Sequence, residues 1–392
     1  MVTANAAHIA LADGTVFPGE SFGAEGVATG EAVFSTAPTG YEESLTDPSF
    51  FGQVLVLTSP EIGNVGVNGE DAESRDGRPT VRGLIARKLS HTASNYRARE
   101  SLGAWLSRHG VVGVHGVDTR RLAHHLRDHG SQMAAFGTGP VEALLEAARA
   151  APSMAGQNLV PYVTPREPYA FTEDLGAWRA RPRPAERARS PRVVVYDLGT
   201  KKNILRHLVD LGCALTVVPA TFPAAEALAL APDGVFLTNG PGDPAASVEV
   251  IDVVRDLLKT RERAPVFGIC LGHQLLALAL GARTFKLPFG HRGVNQPVLE
   301  LSTGRVEITA QNHGFCVEEA SLPDDVRVTH VHLNDRTVEG LSTRDGLAMS
   351  VQFHPEAAAG PHDSAQFFDR FLRAIDAAAE RRLAHVGGAA TE

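Results

Sequence analysis

Residues 266–274 read Val266-Phe267-Gly268-Ile269-Cys270-Leu271-Gly272-His273-Gln274. The opening apolar run suits a short buried strand, and residues 274–280 have helical character. Between them lies a G-x-C-x-G sequence at a strand-to-helix turn. The flanking glycines permit a tight turn and close approach of neighbouring backbone, so the cysteine projects from a sharp elbow. The N-terminus of the following helix favours a thiolate there. Backbone N–H groups at the same turn can receive an oxyanion. The other reading of these residues is a core cysteine beside a tight connection, and its partners must decide.

Outward from the elbow, strands and helices alternate. Residues 193–196, 215–218 and 235–237 read as short buried strands. Residues 203–211 and 250–258 read as helices, the first with Ile204, Leu205, Leu208 and Leu211 on one face. Such alternation implies a parallel sheet covered by helices on both faces. The expected fold is therefore α/β, with a doubly wound parallel-sheet domain over residues 192–380 and a frayed, Gly- and Ala-rich tail over 381–392. Residues 1–165 differ. They carry β-prone runs at 54–57 and 111–117, turn signals at Asp13-Gly14, Pro38-Thr39-Gly40 and Asp47-Pro48, and helical periodicity at 119–128 and around 141–151. This half reads as a mixed α+β domain. Residues 166–191, including Arg181-Pro182-Arg183-Pro184, suit an exposed linker.

The 392 residues exceed what one compact core needs and allow two domains. Hydrophobic residues make up 43% and charged residues 21%, the balance of a soluble globular protein. Lys plus Arg number 37 against 45 Asp plus Glu, a formal charge of −8, which argues against a nucleic-acid partner. No apolar run approaches the roughly 20 residues that span a bilayer, so no membrane association is expected. Met1 to Ala12 lacks a basic region followed by an apolar core, as a secretory signal would have. The 3 cysteines, Cys213, Cys270 and Cys316, form neither a disulfide framework nor a zinc signature. A reducing, cytoplasmic location is the expectation.

A cysteine nucleophile needs a base to take its proton and return it to the leaving amine. Strand-like residues 348–353 run into His354-Pro355-Glu356. His354 titrates in the useful range, and Glu356 can fix its tautomer and orientation. The bland alternative leaves His354 at a strand end and Glu356 in solvent.

Taken together, Cys270, His354 and Glu356 resemble the Cys-His-Glu triad of class I glutamine amidotransferases. The loop Thr238-Asn239-Gly240-Pro241-Gly242-Asp243-Pro244 is similar to that family's oxyanion loop, and Gln274 ends a Cys-Leu-Gly-His-Gln run. Further segments resemble the carbamoyl phosphate synthase small-subunit branch. In the first half these are Thr39-Gly40-Tyr41-Glu42-Glu43, Leu45-Thr46-Asp47-Pro48-Ser49, Ile62-Gly63-Asn64-Val65-Gly66, Ala93-Ser94-Asn95-Tyr96 and Val117-Asp118-Thr119-Arg120. In the second half they are Gln311-Asn312-His313-Gly314-Phe315 and Gly360-Pro361-His362-Asp363.

The resemblance implies a glutaminase. Cys270 would attack the glutamine side chain, His354 would act as acid and base, and Glu356 would orient it. The N–H groups of Leu271 and Gly240 would hold the oxyanion. L-glutamine would be held by Ser49, Gly240, Gly242, Leu271, Gln274, Asn312, Gly314 and Phe315. Ammonia would pass through a tunnel to a large subunit in a hetero-oligomer, and carbamoyl phosphate would be made there for arginine and pyrimidine biosynthesis. The chain has no Gly-rich phosphate loop, so ATP and Mg belong to the large subunit, with no cofactor and no metal site expected in this chain.

Other features are set aside. His124, His125 and His129 read as a solvated helix face without an H-E-x-x-H zinc motif, and His330 and His332 are treated likewise. Cys316 is expected on the pocket wall and Cys213 between helix and strand. Arg292 and Gln296 depart from the family pattern at positions read as variable. Two other functions stay open: a free-standing γ-glutamyl hydrolase with the same triad, and a non-catalytic scaffold subunit.

Overall fold

The computed structural model describes residues 6–179, 182, 189–261 and 264–388, with backbone alone over 383–388. Arg181, Arg183 and Pro184 of the linker, and the last residues of the expected tail, lie outside the described residues.

The first half is a closed barrel. Its strands are β1 (Ala6–Leu11), β2 (Val16–Gly23), β3 (Val27–Ser35), β4 (Gln53–Leu57), β5 (Gly83–Ile85), β6 (Val112–His115) and β7 (Gln132–Gly137), in the order β1-β2-β6-β5-β4-β3-β7. Antiparallel pairing of β7 with β1 closes the ring and removes the free edge. The unbroken Val-Leu-Val-Leu of β4 follows from burial on both faces. Val54 and Val56 join the cluster with Ile9, Phe17 and Phe136, while Leu55 and Leu57 join the one with Trp105 and Leu106. The helices here are α1 (Tyr41–Thr46), α2 (Leu102–Arg108), α3 (Thr119–His129) and α4 (Val141–Ala150). Period-2 and helical patterns announce these elements, but ring closure depends on long-range pairing that local patterns do not carry.

The second half is a 10-stranded sheet. Its strands are β8 (Tyr169–Phe171), β9 (Arg192–Asp197), β10 (Ala214–Pro219), β11 (Gly234–Leu237), β12 (Val266–Ile269), β13 (Thr284–Glu300), β14 (Val306–Val317), β15 (Val326–His332), β16 (Val338–Thr343) and β17 (Ala348–Val351). The centre, β10-β9-β11-β12-β17, is parallel. Alternate residues serve opposite layers: Val194, Tyr196, Val235, Leu237 and Val266 face one cluster, and Val193, Val195, Phe236, Phe267 and Ile269 face the other. The first layer is covered by α6 (Ala224–Ala229), α7 (Val248–Leu258) and α8 (Leu271–Leu280). The second is covered by α5 (Lys202–Asp210) and α9 (Gln366–Gly388). This is the doubly wound α/β arrangement expected from the sequence.

Three expectations change. The linker 166–191 contributes β8, which pairs antiparallel with β10, because Tyr169 and Phe171 bring apolar surface to the sheet edge. The tail expected at 381–392 is helical through Gly388 as the end of α9. An antiparallel extension, β16-β15-β13-β14, also flanks the parallel centre. Among the described residues no helix is long and apolar enough to cross a membrane.

Candidate active site

Ligands of open α/β sheets bind beyond the carboxyl ends of the strands. Cys270 follows β12, His354 follows β17, and the loop from Thr238 follows β11. Cys270 stands at the N-cap of α8 with φ 53° and ψ −104°, a strained conformation for a non-glycine residue. The glycines beside it are required sterically. A Cβ on Gly268 would lie 2.6 Å from the Gly272 carbonyl oxygen, and one on Gly272 would lie 2.4 Å from that of Leu237. The Cys270 thiol donates to the Asn312 carbonyl at 3.6 Å.

His354 Nδ1 and Glu356 Oε1 lie 2.6 Å apart, and both side chains are buried. That contact fixes Nδ1 as the protonated nitrogen and leaves Nε2 without a hydrogen-bond partner among the described residues. Burial disfavours the imidazolium, but the Glu356 carboxylate and Cys270 outweigh it and hold the ring above its ordinary range. Burial likewise opposes the Glu356 charge, and Lys201 and His354 overcome that and hold the carboxyl low. Lys201 Nζ is 3.0 Å from Glu356 Oε1. Asn203 Nδ2 donates to the Glu356 carbonyl at 2.7 Å.

Cys270 shares a small cavity with Ser49, Gly240, Gly242, Gln274, Asn312, Gly314 and Phe315. These are the expected glutamine contacts apart from Leu271, whose side chain packs in the core. Leu271 could act through its N–H alone, the first of α8 and without an intrahelical acceptor. The Gly272 N–H is already bound to the Thr238 carbonyl at 3.0 Å, so it is not available for an oxyanion. Gly240 tolerates no side chain: a Cβ would meet the Leu198 carbonyl oxygen at 2.1 Å and Leu271 Cδ2 at 2.8 Å. The Gln274 amide donates to the Phe315 carbonyl at 2.6 Å and to Gln352 Oε1 at 3.0 Å, so those donors shape the pocket wall.

Asp47 is a site residue that the sequence reading misses. Its carboxylate accepts from the Ser49 N–H at 2.9 Å, Asn239 Nδ2 at 3.3 Å and Asn312 Nδ2 at 2.9 Å. Asn239 Nδ2 also reaches Ser49 Oγ at 2.8 Å. Barrel and sheet thus share one polar seam at the pocket. The signal is present in Asp47-Pro48-Ser49, which by itself shows only a turn and a family match. Lys201 has no local signal. Glu31, Gln53, Met154 and Arg292 also line the cavity. Arg292, read as variable, is buried, and its Nη1 donates to the Phe289 carbonyl at 2.7 Å. A second pocket, which Asn312 also borders, is lined by Ser35, Glu43, Asp47, Lys201, Gly293 and His354 among others.

Two further readings are corrected. Cys316 does not line the Cys270 cavity; it is fully buried beside His313, and burial pushes its thiol up. His330 and His332 are buried rather than solvated, because β15 lies between β13 and β16 within the sheet.

Residues 194–374 match the family model described as glutamine amidotransferase class-I, and residues 9–136 match that of the carbamoyl-phosphate synthase small chain, CPSase domain. The chain is 51% identical over 369 residues to the carbamoyl phosphate synthase small chain of Syntrophotalea carbinolica, covering 93% of this chain and 96% of that one. It is 50% identical over 381 residues to the protein of the same name from Pseudomonas aeruginosa, covering 96% and 99%. To that of Synechocystis it is 49% identical over 378 residues, covering 95% and 97%.

Proposed function

This chain belongs to the carbamoyl phosphate synthase small-chain family, and we propose that it is the glutaminase subunit, with Cys270 as nucleophile. The observation that carries this reading is that the elbow Cys270 acts electrostatically on His354, whose Nδ1 is held 2.6 Å from Glu356 Oε1, at one end of the sheet.

The Cys270 thiolate attacks the side-chain carbonyl carbon of L-glutamine, and a C–S bond forms. The oxyanion is received by the N–H groups of Leu271 and Gly240. His354 passes its Nε2 proton to the amide nitrogen, the C–N bond breaks, and ammonia leaves a thioester. Water, deprotonated by His354, then releases glutamate and restores the thiol. Glu356 holds the imidazolium through both halves. Ser49, Asn312 and the Gln274 side-chain oxygen serve the amino-acid end of the substrate, and the Arg292 guanidinium gives that cavity a positive group suited to a carboxylate.

Ammonia kept from bulk water stays unprotonated and nucleophilic. The second cavity, with His354 in its wall, is the route we assign to it. Its destination is a large-subunit partner, where ATP and Mg act on bicarbonate and carbamoyl phosphate forms. This chain holds no cofactor in that scheme.

The test is glutamate release by the purified chain, alone and with the large subunit, bicarbonate and ATP, with Cys270→Ser beside it. Release that rises with the partner, yields carbamoyl phosphate and vanishes in Cys270→Ser is the expected result. Equal release with and without the partner would indicate a free hydrolase. Complexes that use only added ammonia would indicate a scaffold.

A further inference from the structure

Next to the glutamine pocket, which His313 also borders, three antiparallel strands bring together ligand-type side chains that have been given no catalytic role. His291 on β13 pairs in register with His313 on β14, and Glu339 stands on β16. All three are buried, with Glu339 at 0% exposure. Ligand atoms of the three lie within 4.8 Å of one another. We propose that His291 Nδ1, His313 Nε2 and Glu339 Oε1 bind a divalent first-row transition-metal ion, of which zinc is the natural probe.

Two of these atoms, His291 Nδ1 and Glu339 Oε1, have no hydrogen-bond partner among the described residues. They lie 3.6 Å apart, and His313 Nε2 lies 3.9 Å from the same oxygen. Such gaps exceed a good hydrogen bond. They approach the ~3.4 Å that separates two ligands on one tetrahedral ion with bonds of ~2.0–2.1 Å. The two histidine nitrogens lie within 4.8 Å of each other, so the rings would draw together around an ion held by Oε1.

Charge points the same way. A fully buried carboxylate requires a countercharge. The ionic neighbours of Glu339 among the described residues are His291 and His313. In the metal-free chain a protonated His291, 3.6 Å from Oε1, supplies that charge, and the ion would take the place of its Nδ1 proton.

The surrounding contacts orient the ligands as metal sites require. His291 Nε2 donates to Asp335 Oδ2 at 2.8 Å, which directs the Nδ1 lone pair inward. His313 Nδ1 lies 2.9 Å from the Phe315 carbonyl oxygen, a contact that would hold the Nδ1–H tautomer when Nε2 binds an ion. Gln311 Nε2 donates to Glu339 Oε2 at 3.0 Å and turns Oε1 toward the histidines. Gln311 Oε1 sits 2.9 Å from His313 Nε2. With Nε2 protonated the ring donates to Gln311 Oε1, and a metal ion would replace that proton. Imidazole and carboxylate donors suit zinc, iron or manganese more than magnesium or calcium. The ion would clip together strands β13, β14 and β16, of which β14 carries Asn312, Gly314 and Phe315.

The test uses the full-length chain stripped with a chelator, then given zinc or cobalt salts at micromolar concentration and desalted. One metal ion per chain is expected, retained in Cys270→Ser, with a cobalt spectrum lacking thiolate charge transfer. Glu339→Gln should weaken binding by at least about tenfold, and Asp335→Asn by roughly 10–100-fold. Thermal melting shows whether each variant is folded. If either is not, stoichiometry and the cobalt spectrum in the Cys270→Ser background decide. A chain that stays metal-free with an unchanged melting temperature would overturn the site. So would binding that survives Glu339→Gln in the folded protein, or that disappears in Cys270→Ser. Glutamine hydrolysis enters none of these readouts, so the proposed function stands or falls separately.

Discussion

Glu356 has two duties, and one substitution separates them. It orients His354 at 2.6 Å and neutralises Lys201 at 3.0 Å. Glu356→Gln keeps the shape and removes the charge. The expected kcat for glutamate release falls roughly 10²–10⁴-fold, as when a triad loses its orienting carboxylate. Leaving Lys201 with less compensation should cost about 3–5 kcal/mol of stability, reduced by whatever Glu73 supplies. Steady-state kinetics and melting on the same sample read the two effects; unchanged kcat would remove Glu356 from the triad. Asp47 is tested differently because it touches no reacting atom. In Asp47→Asn a donor replaces one acceptor oxygen facing Asn239 and Asn312, a loss of about 1–3 kcal/mol. The KM for glutamine should rise about tenfold or more while kcat changes less, and an unmoved KM would mean that the seam does not shape the pocket. At this scale the proposed triad can be picked out in the sequence because its members lie in two short motifs. Asp47 is half legible, its turn visible and its partners not. Lys201 is illegible, since its neighbours Glu73 and Glu356 stand far away in the sequence.

The elbow is an element built by close approach, and glycines mark where backbones touch. That is why G-x-C-x-G is legible from the residues alone: Gly268 and Gly272 have no room for a Cβ, and Cys270 takes a positive φ between them. Gly240 belongs to the same contact. Gly240→Ala would drive a methyl group into the Leu198 carbonyl and push the loop away from the oxyanion position. The expectation is a kcat lowered roughly 10²–10³-fold, measured as glutamate release with the fold checked by melting. Near-normal kcat would show that the Gly240 N–H stabilises nothing. The buried runs of β9, β11 and β12 are equally readable, because a strand covered on both faces is apolar throughout. β13 to β16 are not, since their polar residues satisfy one another inside the sheet: His291 with Asp335, and Gln311 with Glu339. Some motifs of the first half prove to be scaffolding. Tyr41 donates to the Gly66 carbonyl, and the Glu42 carboxylate accepts from the Asn68 and Gly69 N–H groups at 2.8 and 2.6 Å.

Across the whole molecule, barrel and sheet are joined by charged groups buried between them. Glu73, from the first half, accepts from the Asn203 N–H of α5 at 2.9 Å. Burial raises its carboxyl to about 7, with Lys201 opposing the rise. Because the folded chain holds this proton more tightly than the unfolded chain, the contribution is fully present below about pH 4.5 and is lost as pH climbs to about 7. Glu43, also raised to about 7, adds to the same slope. Glu73→Gln should therefore flatten the decline of melting temperature over that window, and an unaltered slope would show that Glu73 titrates normally. The two-part layout is legible from composition. The joint is not, since Lys286 and Glu31, which pair across it, carry no local signature. The seam through Asp47, Ser49, Asn239 and Asn312 also bears on descent. A recombination that set the barrel of one lineage on the sheet of another would have to match both sides of those hydrogen bonds at once. The two halves are thus expected to be inherited as a unit, and a change on one bank of the seam should be tolerated only when the opposite bank changes with it.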